Sequence, residues 1–304
     1  MFSGSMVALV TPMKEDGSID KKSLHDLVDW HLASNTDALV VTGTTGEGST
    51  LTTEEQYDII TSVVSQVGKR IPVIAGTGTH STQHTIALTE QAKQAKADAA
   101  LIVTPYYNKP TQNGLYEHYH AIAKEVALPI ILYNVPGRTA CDLLPETVER
   151  LSTISSIIGI KEATGKLDRC IDILKRVHKQ FAVYSGDDLT AMELLLNGAK
   201  GVISVTANVA PRKMHDFCQA ALSGDKTLAE KLNTELMPLH QFLFVEANPI
   251  PVKWALNEMR RIPSGIRLPL LPLDVKYRAE MVKILHETGV MNEKRETLEK
   301  IHKG

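Results

Sequence analysis

Short apolar runs recur along the chain and alternate with segments of helical periodicity. The runs are rich in Val, Ile, Leu and Ala, and each is closed by Thr, Gly, Pro, Asn, Lys or Glu. They cover Met6–Val10, Ala38–Thr42, Pro72–Gly76, Ala99–Thr104, Ile130–Asn134, Ile157–Lys161, Ala182–Ser185 and Gly201–Val205. Successive runs begin roughly 20 to 35 residues apart, which is the length of a strand followed by a helix. The pattern therefore predicts eight β/α units.

The runs are continuously apolar and do not alternate with polar residues. Strands of this kind are buried on both faces, as in parallel sheets that are covered by helices. Eight such units favour an α/β fold of the (β/α)₈ TIM barrel type. An open doubly wound sheet is the alternative, but no GxGxxG turn follows the first run, and the count reaches eight.

Helix start signals stand ahead of the periodic segments. Asp20 is placed to cap a helix whose apolar face carries Leu24, Leu27, Val28 and Leu32. Thr52 and Glu55 have the spacing of a capping box ahead of the next apolar face.

After Val205 the alternation stops and helical patterns dominate. They include Leu228–Val245, Val252–Met259 and Val275–Thr288, with prolines marking the loops. We therefore expect a barrel over residues 1–210, a C-terminal helical region packed on it over 211–290, and a charged, frayed tail over 291–304 that carries no functional signal.

Composition narrows the class of function. The 304 residues are 43% apolar and 22% charged, with a formal net charge of −2 and a pI near 6.6. This balance gives no electrostatic support for a nucleic-acid or anionic-membrane partner. The first residues lack the pattern of a secretory signal, and no apolar run approaches the roughly 18 residues that span a bilayer. The three widely spaced cysteines suggest neither a disulfide framework nor a zinc site, so we expect a cytoplasmic protein that acts on small molecules.

Catalytic residues of a (β/α)₈ barrel lie at the carboxyl ends of its strands. Lys161 ends the sixth run, so its stem is held by an apolar strand and its amine is delivered to the barrel mouth. Partial burial would disfavour the ammonium form and leave a free amine able to attack a ketone. A lone lysine in such a place more often only extends its ammonium to water, so the assignment depends on its neighbours.

A ketone that forms an imine must also exchange protons, and tyrosine hydroxyls can shuttle them. Tyr133 lies near the end of the preceding run, at the depth that corresponds to Lys161, and Thr44 could link its phenol to that of Tyr106 or Tyr107. Taken alone, Tyr133 would more often be a core aromatic with a satisfied hydroxyl. A threonine and two tyrosines at one rim favour the proton relay.

Two further segments could hold carboxylates. The turn Gly43–Gly46 offers exposed backbone N–H groups and two hydroxyls at the expected start of a helix, although it could be an ordinary strand-to-helix turn. Arg138 follows a Pro-Gly turn after the fifth run, where its guanidinium could grip a second carboxylate. Alone it would be a solvated surface arginine.

The chain shows no metal or cofactor pattern. His118 and His120 lie two residues apart in a helical segment and therefore point to different faces. Asp187 and Asp188 follow the seventh strand, where they would repel a phosphate, and we interpret them as a charge pair at a helix N-terminus. We expect carboxylate substrates and no cofactor.

These segments together resemble the 4-hydroxy-tetrahydrodipicolinate synthase family, also called dihydrodipicolinate synthase, over nearly the whole chain. The resemblance is carried by Gly43-Thr44-Thr45-Gly46-Glu47, Tyr106-Tyr107, Tyr133-Asn134-Val135-Pro136-Gly137-Arg138-Thr139, Gly159-Ile160-Lys161-Glu162 and Ser185-Gly186-Asp187-Asp188. The family belongs to the pyruvate-dependent class I aldolases. The Schiff-base lysine is common to all of them, whereas an arginine in the Pro-Gly-Arg-Thr turn separates the synthase from the sugar-acid branches.

The resemblance implies a role for each matching residue. Lys161 would form the imine with pyruvate, Thr45 would hold the pyruvate carboxylate, and Arg138 would receive the carboxylate of L-aspartate semialdehyde. A proton relay would consist of Tyr133, Thr44 and Tyr107, with Tyr107 supplied by a neighbouring subunit of a homotetramer that is a dimer of dimers. Gly186 and Ile203 would line the site mainly through their backbone. The product would enter diaminopimelate and lysine synthesis.

Two alternatives and one departure accompany this interpretation. An N-acetylneuraminate lyase or keto-deoxy sugar-acid aldolase would share Lys161, and a non-catalytic binding protein could use the same barrel. The departure concerns feedback: lysine-inhibited members carry His, His, Asn and Glu where this chain has Thr53, Gln56, His80 and His84. The missing carboxylate at position 84 removes a partner for the effector's ammonium, so we expect weak or absent inhibition by lysine.

Overall fold

The computed structural model describes residues 2–292 and contains a closed parallel barrel. Its strands, β1 to β8 in chain order, are Gly4–Ala8, Ala38–Val41, Val73–Gly76, Ala99–Val103, Ile130–Asn134, Ile157–Glu162, Ala182–Ser185 and Gly201–Ser204. Each strand pairs with its sequence neighbours, and β8 pairs with β1. The predicted (β/α)₈ barrel is confirmed.

The first strand differs most from its predicted position, since it begins at Gly4 and ends at Ala8 instead of covering Met6–Val10. Two side chains define its ends. The Ser5 N–H donates to the Asp37 carboxylate at 2.8 Å, which anchors the start. The Val10 N–H donates to the Asn208 side-chain oxygen at 3.0 Å instead of to a neighbouring strand.

Two apolar layers form because alternate residues of each strand point in opposite directions. An inner cluster fills the barrel and includes Met6, Val40, Ile74, Leu101, Ile131 and Ile203. A larger outer cluster, which includes Leu39, Ile102, Leu132 and Val183, packs between the strands and the helices. Burial on both faces explains why the strands are continuously apolar in sequence.

Twelve α-helices lie within the described residues. They are α1 Lys21–Ala33, α2 Thr53–Val67, α3 Thr82–Gln94, α4 Gln112–Glu125, α5 Pro136–Thr139, α6 Pro145–Ser152, α7 Leu167–Arg176, α8 Ala191–Leu196, α9 Pro211–Ser223, α10 Lys226–Phe242, α11 Ile250–Glu258 and α12 Val275–Glu287. Both predicted caps are confirmed: Asp20 accepts from the N–H groups of Lys22 and Ser23, and Thr52 and Glu55 form a reciprocal capping box.

The C-terminal region consists of α10, α11 and α12, and α9 precedes it. Helix α9 packs on β1 and completes the ring of helices around the barrel. This packing favours a division after Ser223 rather than after residue 210, and the division into two regions stays a proposal. The tail is predicted to begin at residue 291, and its residues 293–304 lie outside the described part of the chain.

No helix within residues 2–292 is long and apolar enough to cross a membrane. The three cysteines are buried and unpaired, as expected from their spacing.

Candidate active site

Lys161 lies near the carboxyl end of β6 and faces a cavity of about 230 Å³ at the barrel mouth. Its backbone pairs in register with Tyr133 on β5 and Tyr184 on β7. The residue is only 6% exposed, and Nζ lies 4.4 Å from the centroid of the Tyr133 ring. Among the described residues, no carboxylate lies within ion-pair distance of this amine. The amine at the opening of the barrel therefore lies beside an aromatic ring and has no carboxylate partner within residues 2–292.

The cavity brings together six of the residues that the sequence singled out. They are Thr44, Thr45, Tyr133, Arg138, Lys161 and Gly186. They come from the carboxyl ends of β2, β5, β6 and β7, so the structure places these six at one rim of the barrel.

Gly186 leaves room for the lysine stem. A Cβ atom at this position would lie 2.9 Å from Lys161 Cε and 2.6 Å from the Cβ of Ala163. Both distances are shorter than carbon atoms tolerate, so a side chain here would displace the lysine. The absence of a side chain at Gly186 therefore allows the Lys161 stem to adopt its position.

The turn after β2 presents unoccupied backbone donors. Within the described part of the chain, the N–H groups of Thr44 and Thr45 donate no hydrogen bond to the protein. The turn is tight, and Thr42 and Glu47 both have left-handed backbone conformations with a φ of +55°. It leads into a short 3₁₀ helix at Gly48–Thr50, and α2 begins only at Thr53. The expectation that the turn starts an α-helix was therefore wrong, and the free donors result from the tight turn itself.

A buried ion pair supports this turn from below. Lys253 on α11 binds the Glu47 carboxylate, and both residues are almost fully buried. Burial lowers the pKa of Lys253, while the Glu47 charge opposes that shift. The second oxygen of Glu47 accepts from the Arg267 N–H at 3.0 Å, so three segments of the chain meet beneath the turn.

Arg138 lies in the single turn of α5 and is exposed at the cavity mouth. Its guanidinium donates to the backbone carbonyl of Asn248 at 3.1 Å. Asn248 and Phe244, which both precede α11, also line the cavity. Sequence analysis missed both residues, because Phe244 fell inside the predicted helical segment Leu228–Val245 and the prolines after Asn248 indicated only a loop. No local pattern tells which parts of a C-terminal extension fold back over a barrel mouth.

The tyrosines separate into two positions. Tyr106 lines an adjoining cavity of about 260 Å³ together with Thr44 and Tyr133. Tyr107 is 90% exposed at a φ of +75° and lines neither cavity. Within one chain, the proposed relay therefore has Tyr133 and Thr44 in place but not its third member.

Ile203 does not line the described cavity. It is 1% exposed and belongs to the inner barrel cluster beside Tyr133 and Tyr184. Val205, two residues further along the chain, lines the cavity instead. The difference arises because Ile203 lies within β8 and packs in the barrel interior, whereas Val205 follows the carboxyl end of the strand at Ser204 and so lies at the barrel mouth.

Asp188 is not part of a charge pair at a helix N-terminus, and that interpretation was wrong. Its carboxylate is buried and accepts from the N–H groups of Val205 and Thr206 at 3.0 and 2.9 Å, which ties the loop after β7 to the end of β8. Asp187 accepts from the N–H and hydroxyl of Thr190, ahead of α8. The local sequence assigned Asp188 to a helix end, but in the folded chain its carboxylate binds the backbone at the end of β8.

The two histidines of α4 point to different faces, as predicted. His118 is buried against Thr82 at 2.9 Å, while His120 faces solvent beside Glu117. In the described part of the chain, no group of three His, Cys, Asp or Glu side chains is placed to hold a metal ion.

A polar cluster outside the barrel, here called the β5–β6 clamp, holds the two strands that carry Tyr133 and Lys161. It consists of Asn134, Asp142, Glu162 and Arg169. The Asn134 amide donates to Glu162 and to Asp142, both at 3.0 Å. Arg169 donates to Glu162 at 3.3 Å and to Asp142 at 2.8 Å. The clamp fixes the register in which Tyr133 lies directly opposite Lys161.

A buried lysine amine at a barrel strand end, beside a tyrosine and a turn of free N–H donors, defines an enzyme of the class I aldolase type. Comparison with known proteins agrees, since the family model described as "Dihydrodipicolinate synthetase family" matches residues 1–288. The chain belongs to this family of lyases.

The similarity to individual members is extensive. A 4-hydroxy-tetrahydrodipicolinate synthase from Pseudomonas aeruginosa is 60% identical over 96% of this chain and 100% of its own. The pyruvate complex of the dihydrodipicolinate synthase from Acinetobacter baumannii is 53% identical, with a TM-score of 0.95 over 95% of this chain and 100% of that one. The lysine-bound enzyme from Cyanidioschyzon merolae is 35% identical, with a TM-score of 0.92 over 95% and 99%.

Proposed function

We propose that the protein condenses pyruvate with L-aspartate semialdehyde through a Schiff base on Lys161, giving 4-hydroxy-tetrahydrodipicolinate for diaminopimelate and lysine synthesis. The observation that carries the proposal is the Lys161 amine, which opens into one cavity with Thr44, Thr45, Tyr133 and Arg138. The relatives that share this fold and most of this sequence bear the corresponding name.

The chemistry assigns a task to each group. Lys161 Nζ attacks the keto carbon of pyruvate and water leaves, so that an imine forms. The free N–H groups of the Thr44–Thr45 turn and the Thr45 hydroxyl bind the carboxylate. Loss of a proton from the methyl carbon gives an enamine, which attacks the aldehyde carbon of the second substrate. The amine of that substrate then replaces Lys161 at the imine carbon, which closes the ring and frees the enzyme.

Proton transfers in this sequence need a relay, which we assign to Tyr133 and Thr44 with Tyr107 of a neighbouring subunit. Two features of Tyr107 support this assignment. Its side chain projects almost entirely into solvent, and its backbone has a positive φ that a tyrosine adopts only when its surroundings impose it. We propose that a tight dimer completes each site and that two such dimers form a homotetramer.

The decisive experiment combines trapping with turnover. Borohydride in the presence of pyruvate should attach one reduced pyruvyl group to the protein, and Lys161→Ala should abolish the adduct. A coupled assay should show turnover of pyruvate with L-aspartate semialdehyde. An adduct without that turnover would indicate a sugar-acid aldolase instead, and the absence of an adduct would refute the Schiff-base mechanism.

Arg138→Ala distinguishes the substrates within the same experiment. Its removal should weaken use of the semialdehyde while the pyruvate adduct still forms, because Arg138 stands at the mouth and Lys161 lies deeper. Equal loss of both steps would contradict the role given to Arg138.

A further inference from the structure

Asn248 contacts both groups to which the proposed function assigns substrate carboxylates. Its side-chain Nδ2 donates to the Thr45 hydroxyl at 2.9 Å, and its backbone carbonyl accepts from Arg138 at 3.1 Å. The residue is 6% exposed and lines the catalytic cavity. It comes from the C-terminal region, more than two hundred positions from Thr45 in sequence.

The direction of the Asn248–Thr45 hydrogen bond has a chemical consequence. A threonine hydroxyl has one proton to donate and two lone pairs that accept. When the Asn248 amide donates to one lone pair, the proton stays available for a carboxylate in the cavity. If Thr45 instead donated to an acceptor at position 248, its lone pairs would face the carboxylate and repel it.

The position of Asn248 is held by its neighbours in the chain. Helix α11 begins two residues later, and its Lys253 is locked in the buried pair with Glu47, which belongs to the same turn as Thr45. The turn and the segment that carries Asn248 are therefore bound at two points, which holds the amide within hydrogen-bond distance of the hydroxyl.

We propose that Asn248 is a positioning residue that turns the Thr45 hydroxyl into an obligate donor to the carboxylate of the keto-acid substrate. The proposal rests on the function proposed above. Asn248 acts through Thr45 and not on the reacting atoms.

The main test is Asn248→Asp, a change that keeps the shape of the side chain and removes its donor. The new carboxylate can only accept, so it takes the Thr45 proton and adds a like charge near the substrate. The KM for pyruvate should rise at least about tenfold, the effect expected when a hydrogen bond to a charged group is lost. The kcat at saturating pyruvate should change much less, because the lost interaction holds the substrate throughout the reaction.

Two comparisons separate this role from a merely structural one. In a Thr45→Val background, Asn248→Asp should raise the KM for pyruvate by a clearly smaller factor, because the hydroxyl through which it acts is absent and only the repulsion by the new charge remains. Borohydride trapping of acetone, a ketone without a carboxylate, should proceed at the same rate in Asn248→Asp and in the unsubstituted protein.

Asn257→Asp is the matched control. Asn257 also lies on the C-terminal region and donates its amide to a backbone carbonyl, that of Ile262, at 2.9 Å. This variant should leave the KM for pyruvate unchanged even if it lowers thermal stability.

The possible failures can be told apart. An unchanged pyruvate KM in Asn248→Asp, a full effect in the Thr45→Val background, or equal loss of acetone trapping would each overturn the role of Asn248. Failure of pyruvate to form any adduct with the unsubstituted protein would instead overturn the proposed function.

Discussion

At the scale of single residues, the site depends on the space around the Lys161 stem as much as on the amine. The stem passes against Gly186, where an added Cβ would come within 2.9 Å of Cε. The amine must reach a keto carbon at bonding distance, and catalytic groups tolerate displacements of only about 0.5 Å. The shape of one backbone segment therefore limits the chemistry.

Gly186→Ala should accordingly reduce pyruvate trapping and kcat by roughly a hundredfold, the scale of a 1 Å misplacement. Gly137→Ala is the matched control, because nothing lies within 4 Å of a Cβ built there. Trapping rates and steady-state kinetics measure both variants. Equal activity of the two would show that the lysine stem does not need the space at Gly186.

Burial of His31 makes the stability of the fold sensitive to acid. His31 accepts or donates one hydrogen bond with Thr36, and its other ring nitrogen is buried without a partner among the described residues. Burial lowers its pKa to about 3 from an ordinary value of 6.5. The unfolded chain therefore takes up a proton at a higher pH than the folded chain does. The contribution of neutral His31 to stability is therefore fully present above pH 6.5 and is lost as the pH falls from there toward 3.

His31→Asn should make stability less sensitive to acid. The asparagine can still reach Thr36 but does not titrate, so lowering the pH to about 5.5 should cost this variant about 1.4 kcal/mol less than the unsubstituted protein. The free energy of unfolding of each variant is compared by urea unfolding at about pH 7.5 and about pH 5.5. His120→Asn, at an exposed position, should keep the original dependence, and an unaltered slope in His31→Asn would contradict the prediction.

At the scale of secondary-structure elements, the relative register of β5 and β6 determines whether Tyr133 meets Lys161. The β5–β6 clamp holds this register from outside the barrel, with the Glu162 side chain fully buried and the Arg169 side chain only 13% exposed. A buried carboxylate that loses its cationic partner is strongly unfavourable, whereas exposed ion pairs contribute little.

Arg169→Met should therefore lower both stability and activity. We expect a loss of about 3 kcal/mol in the free energy of unfolding, because Glu162 stays buried without its charge partner. The rate of pyruvate adduct formation should fall with it. Arg176→Met is the comparison on the same helix, since Arg176 pairs with Glu146, Glu149 and Asp172 near the surface. A larger effect at Arg176 than at Arg169 would refute the importance of the clamp.

At the scale of the whole molecule, the proposed subunit exchange can be tested by complementation. Lys161→Ala and Tyr107→Phe protomers should each be nearly inactive alone. If Tyr107 serves the neighbouring subunit, mixing them should restore activity in the site that combines an intact Lys161 with an intact Tyr107 from its partner. Random mixing places about a quarter of all sites in that state. No recovery after subunits have exchanged would show that Tyr107 acts in its own chain or not at all.

Sensitivity to L-lysine is a second property that we predict at this scale. Gln56 donates its amide to the Gly48 carbonyl at 2.9 Å, His80 stacks edge-on near Tyr106, and His84 is exposed at the start of α3. None of these side chains supplies the carboxylate that a lysine ammonium would need. Titration of L-lysine against activity should show little inhibition, and inhibition at submillimolar lysine would contradict this. His84→Glu should increase the sensitivity.

Periodicity determined most of the fold. The eight apolar runs became the eight strands with shifts of at most two residues at either end, because burial on both faces leaves a pattern that needs no tertiary information. The caps at Asp20 and Thr52 were equally local, since a capping side chain bonds only to N–H groups within its own first turn. The carboxyl ends of all barrel strands lie on the same face, and this rule placed Lys161, Tyr133, Thr44 and Arg138 at one rim.

Tertiary structure decided which sequence-distant residues contact the residues at that rim. Asn248 reaches Thr45 across most of the chain, Asp188 binds the end of β8, and Val205 replaces Ile203 in the cavity wall. Such contacts leave no periodic or short-range signal, because they depend on how a loop folds back over the barrel. The strand pattern is a property of each segment and its burial, whereas the orientation of one hydroxyl depends on a donor that only the closed fold brings within 2.9 Å.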